Sequence, residues 1–101
     1  MYVALMCKDN AGALQTRLDT REDHLAFLKD LDAKGILKIA GPLLDENDKP
    51  CGSLIILNVE DKTEAEQIAK EDPYAKVGLF AEVDIKPYTW VFHEPSSEIG
   101  A

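Results

Sequence analysis

Two side chains suited to proton chemistry, His24 and Asp72, fall on the apolar faces of helix-like segments rather than in polar stretches. In the first segment His24, Leu28 and Leu31 share one face at 100° per residue, so His24 is expected to point inward near the helix's start. In the second, Ala65, Ile68 and Asp72 follow the i, i+3, i+7 rule, and Pro73 pushes Asp72 out of helical dihedrals, turning its carboxylate toward the end of the core. A His and a carboxylate held together form an acid-base pair. The Asp fixes the ring's tautomer and orientation, and the free ring nitrogen exchanges protons near neutral pH. Each residue also has an ordinary structural use, a capped His near a helix end and an Asp at a helix exit, so the residues alone leave both readings open.

Three further residues are candidates for substrate contact. Arg17, one of two arginines, is expected in a loop before the first helix and could clamp an anionic or phenolate substrate, or simply offset nearby acids. Tyr74 offers a ring and a hydroxyl, although packing is the usual role of such a residue. Ser53 begins a strand without the partners of a nucleophile triad. Cys7 reads as a buried hydrophobe and His93 as an exposed tail residue. Gly41-Pro42 and Gly52-Ser53 lack the spacing of a phosphate loop, and Cys7 and Cys51 lack zinc-site spacing. No cofactor and no metal are indicated.

The elements that must position these residues follow from patterning. Residues 2–7 read as a strand and 9–19 as a loop. Thr20 with Asp23 resembles a capping box for a helix over 21–34, stopped by Gly35. Residues 36–44 read as a strand with a bend or bulge at Gly41-Pro42; a polar turn over 45–50 joins it to a strand over 52–59. Asp61 with Glu64 starts a second helix that ends near Glu71 before Pro73. Leu79 to Ile85 alternates as a last strand, with Tyr88 to Phe92 as an extension after Pro87.

That order gives an α+β ferredoxin-like sandwich (βαββαβ): an antiparallel four-stranded sheet with two helices on one face. The helices then run antiparallel, which sets the start of the first beside the end of the second and so His24 beside Asp72. The strand over 52–59 is apolar on both faces, with Leu54 and Ile56 opposite Ile55, Leu57 and Val59. Two helices cover one face only. The other is expected to pack on a second copy in a sheet-to-sheet homodimer, a dimeric α/β barrel.

With 101 residues the chain fits one domain, expected over 1–95 with a tail at 96–101. Hydrophobic residues at 46% and charged residues at 30% describe a folding chain rather than a disordered one. The formal charge of -8 speaks against nucleic acid, which requires a basic stripe, and against an anionic membrane. The apolar opening ends at Lys8 and Asp9, short of a membrane span and without the marks of a signal peptide, so the cytoplasm is the expected location.

Four motifs in order, Arg21-Glu22-Asp23-His24-Leu25, Ala40-Gly41-Pro42-Leu43, Gly52-Ser53-Leu54 and Asp72-Pro73-Tyr74, resemble the YciI-like (YCII-related) family from Met1 to about Phe92. The resemblance implies a dimeric ferredoxin-like fold and a His-Asp site at His24 and Asp72. One branch of that family resembles dehydrochlorinases that eliminate HCl from a chlorinated hydroxyhydroquinone. The expected function is a cofactor-independent lyase acting on a small oxygenated ring compound. An isomerase of the muconolactone type, a cofactor-free oxygenase and a non-catalytic ligand-binding dimer are the alternatives.

Overall fold

A computed structural model describes residues 1–95; the expected tail at 96–101 lies outside the described residues. Seven elements follow in order: β1 (Tyr2–Asp9), α1 (Leu14–Ala33), β2 (Leu37–Leu44), β3 (Pro50–Asn58), α2 (Lys62–Glu71), α3 (Pro73–Lys76) and β4 (Phe80–Tyr88). The strands form one antiparallel sheet in the order β2-β3-β1-β4. This is the expected ferredoxin-like arrangement, with the single turn of α3 added between α2 and β4. The core lies between the sheet and the helices, where Val3, Leu5, Cys7, Ile55 and Leu57 meet Leu28 and Leu31 of α1 and Ala65 and Ile68 of α2. Among the described residues no helix is long and apolar enough to cross a membrane.

The first helix departs most from the sequence reading. It begins at Leu14, not at residue 21, and its N-cap is Ala13, which makes no side-chain cap bond. Thr20 is therefore buried in the helix interior and caps nothing. The missed turns belong to the buried stripe: Arg17, Thr20, His24, Leu28 and Leu31 are all buried, and at 100° per residue they fall within about 40° of His24. The first three are all polar, so the apolar period is invisible there. Arg17 consequently lies in the helix and not in a loop. His24 lies near the helix's middle, about 15 Å along the axis from Leu14, beyond reach of the end dipole that an early position would have imposed.

The remaining boundaries follow the expected signals closely. Gly35 stops α1 with φ 75°. Asp61 caps α2 by accepting from the Glu64 backbone N–H at 2.8 Å, and Glu64 reciprocates toward the Glu60 N–H at 2.8 Å. In β2 the pairing through Gly41 and Pro42 is regular; the irregularities lie at Leu37/Ile39 and Leu43/Leu44 instead. Pro42 is tolerated because β2 is an edge strand. β4, the other edge, runs on through Pro87 to Tyr88.

The face away from the helices carries Ala4 and Met6 of β1, Leu54 and Ile56 of β3, and Ile39 and Leu43 of β2, as the register requires. Met6, Ile39 and Leu43 are exposed, while Ala4 and Ile56 are buried. Beyond β4, Trp90 packs edge-on against Tyr2 and Tyr88 at 5.4 and 5.8 Å.

Candidate active site

Three elements converge at one end of the helix layer. The buried alternation of β1 (Val3, Leu5, Cys7) continues to Asp9, so a carboxylate lands on the helix-facing side. Its neighbour on β3 is Ser53, the partner of Cys7 in register, buried on the same side. Gly52 allows the two strands to approach there, because a Cβ would lie 2.4 Å from the Cys7 carbonyl oxygen. From above, α1 supplies Arg17 and His24. The short α2 ends halfway along α1, and Asp72 follows it with extended dihedrals, φ -60° and ψ 126°.

Asp72 has two tasks. It caps α3, its Oδ1 accepting from the Tyr74 backbone N–H at 2.9 Å, and the same oxygen lies 2.8 Å from His24 Nδ1. A carboxylate only accepts, so Nδ1 carries the ring proton and Nε2 keeps its lone pair. No described residue engages Nε2. Both side chains are buried, with 8% and 3% exposed. The Tyr74 ring stacks on the imidazole with centroids 3.9 Å apart and planes 16° from parallel, and it packs edge-on against Phe80. His24 is thus fixed along one edge and against one face.

Arg17 is held as tightly. Its Nε and Nη2 donate to the two oxygens of Asp9 at 2.8 and 2.9 Å, and Nη2 also donates to Ser53 Oγ at 3.0 Å. Its guanidinium carbon lies 4.7 Å from the centre of the Tyr74 ring. Burial disfavours the charged guanidinium, but the hydrogen bond and charge of Asp9 outweigh it and hold Arg17 above its ordinary range. Burial also raises the Tyr74 hydroxyl, against the charge of Arg17. Ser53 accepts from Arg17 Nη2, which leaves its own hydroxyl proton for another acceptor, and no described residue accepts from Nη1.

These groups edge a cavity of about 260 Å³. His24, Arg17, Ser53 and Tyr74 form its polar side; Leu25, Leu28, Ala40 and Pro42 are among its apolar walls, and Arg21 and Leu18 also line it. Cavities that enclose drug-sized ligands run from about 300 to 1,000 Å³, so this one suits a single small ring. Among the described residues no cluster of three or more His, Cys, Asp or Glu side chains is placed to hold a metal ion.

The structure thus brings all five residues singled out in the sequence, His24, Asp72, Arg17, Ser53 and Tyr74, to one place. Asp9 was missed. Its signal was its place at the end of the buried alternation of β1, where a carboxylate demands a cationic partner. Cys7 is buried and makes no part of the cavity wall. His93 is exposed, with φ 63°.

Comparison with known proteins shows the family and the fold. A family model described as the YCII-related domain matches residues 1–89. An uncharacterized protein of Haemophilus influenzae is 39% identical over 98 residues, covering 91% of this chain and all of that protein. Protein YciI of Escherichia coli is 36% identical with the same coverage. Among solved structures, the 5-chloro-2-hydroxyhydroquinone dehydrochlorinase TftG of Burkholderia phenoliruptrix, in complex with 2,5-dihydroxybenzoquinone, superposes with a TM-score of 0.81 at 30% identity, covering 94% of this chain and all of that one.

Proposed function

The chain belongs to the YCII-related family, and from that premise we propose that it is a cofactor-independent lyase that removes HCl from a small chlorinated hydroxyhydroquinone. The observation that carries the reading is the buried His24–Asp72 pair at 2.8 Å, its second ring nitrogen unengaged among the described residues and its imidazole edging a cavity of one-ring size. The likeness to a dehydrochlorinase of the same fold supports the choice of reaction.

In this mechanism His24 Nε2 takes the proton of a ring hydroxyl and delivers it to the carbon that bears chlorine, as the oxygen's electron pair forms a carbonyl. A second hydroxyl then gives up its proton, its electrons complete the quinone, and chloride departs. The net change is loss of HCl, with chlorine leaving as chloride in place of an external oxidant. Asp72 holds the imidazolium that forms, and Arg17 Nη1 and the Ser53 hydroxyl donate to the oxygen on which charge develops. Tyr74 keeps the imidazole in plane.

The test is anaerobic incubation with 5-chloro-2-hydroxyhydroquinone, following chloride and the quinone absorbance together. One chloride per quinone at a rate proportional to protein is the expected result. Chloride release no faster than in buffer, with folded protein, would overturn the assignment.

A further inference from the structure

The charge around this cavity runs against the charge of the chain. Acidic residues outnumber Lys and Arg by 19 to 11, yet among the described residues no Asp or Glu lines the cavity, and both arginines do. The two differ in state. Arg17 is buried and neutralised by the bidentate Asp9. Arg21, one helical turn further on at about 60° from the buried stripe, is exposed and pairs with no carboxylate among the described residues. Its charge nevertheless reaches the cavity wall, where it acts on the Tyr74 hydroxyl. Its neighbours at the rim, Leu18 and Leu25, are apolar, which limits screening of a charge bound there.

We propose that Arg21 sets the charge of the ring compound the cavity holds, so that it binds a small planar anion whose charged oxygen pairs with the Arg21 guanidinium while its opposite edge faces His24. This rests on reading the cavity as the reaction site and adds the ionic form of the hydroxyquinone product that it holds. A hydroxyl conjugated through a ring to a quinone carbonyl is a vinylogous carboxylic acid, ionised at neutral pH, so hydroxyquinones belong to the class. Guanidinium suits such an acceptor, because two of its N–H groups address adjacent oxygens in one plane.

The experiment is equilibrium binding of 2,5-dihydroxybenzoquinone and of its uncharged dimethoxy analogue to the wild-type chain and to Arg21→Gln, at two ionic strengths. Arg21 is exposed, so Arg21→Gln should keep the wild-type unfolding midpoint. A charge-assisted pair predicts about tenfold or greater loss of affinity for the anion in Arg21→Gln, little change for the dimethoxy compound, and a salt dependence present only in the wild type. Arg21→Lys should recover part of the loss. Anion affinity in Arg21→Gln within twofold of wild type would overturn the inference, as would failure of the wild type to bind the anion at millimolar concentration. Charge-selective binding without chloride release would uphold it while removing the lyase assignment; chloride release with unchanged binding in Arg21→Gln would do the reverse.

Discussion

Removing Asp9 isolates one buried charge and gives the sharpest test of how the site is held. Asp9 and Arg17 have side chains only 6% and 5% exposed, joined by two hydrogen bonds. In Asp9→Ala the guanidinium keeps its burial and Ser53 but loses its counter-charge, and breaking a buried pair in this way costs about 3–5 kcal/mol. A domain of this size has only about 5–15 kcal/mol of total stability. At about 4–8 °C per kcal/mol, the midpoint should fall by at least about 12 °C. Thermal and urea unfolding at neutral pH, followed by circular dichroism, measure this directly. The double variant Asp9→Leu with Arg17→Met removes both charges, and its stability should return to within about 2 kcal/mol of wild type, because an apolar pair of similar volume replaces a buried ion pair at little cost. An Asp9→Ala protein less than about 1 kcal/mol weaker than wild type would refute the argument, since the guanidinium would then have found water or another partner.

Other outcomes follow from the same geometry. His24→Ala and Asp72→Asn should each lower turnover by about 10²-fold or more with the fold intact, read by chloride release; near-normal turnover in either removes the pair from the mechanism. Burial pushes the Cys7 thiol up to about 12 from 9.0, with the Asp72 charge adding to it. The folded state therefore retains a proton that the unfolded chain releases, and stability should fall as pH rises between about 9 and 12, less steeply in Cys7→Ala. At pH 8 a thiol reagent should titrate exposed Cys51 at once and Cys7 only on unfolding. Sheet-to-sheet pairing through Met6, Ile39 and Leu43 should give a dimer by sedimentation at micromolar concentration that Met6→Lys disrupts; a wild-type monomer would refute it.

Much of this fold is legible in the sequence because its signals are local. Gly35, the Asp61–Glu64 box and the residue before Pro73 each act within a few positions, and they mark the helix ends correctly. The start of α1 is hidden because Arg17 and Thr20 occupy buried positions, and a polar residue on a buried stripe reads as loop until its partner is known. That partner, Asp9, is marked only by its place at the end of the buried alternation of β1. Each of the two explains the other, and only the register of β1 against α1 brings them together. The pairing of His24 with Asp72 was inferable for a different reason: antiparallel helices fix which ends meet, and the shortness of α2 moves the meeting point to the middle of α1 without separating the residues.

The buried charges have a consequence for the direction of proton transfer. Asp72 accepts from two N–H groups, and Asp9 and Arg17 cancel. With a neutral imidazole the buried set carries one negative charge; once His24 has taken a proton it carries none. The substrate that gave the proton keeps the opposite charge, so the negative charge passes from the buried pair to the substrate oxygen, where Arg17 and Ser53 stabilise it. The same residual negative charge would repel an anionic ring compound. Arg21 at the rim offsets it, and that is why a cavity backed by two carboxylates, in a chain of net charge -8, is suited to receive an anion.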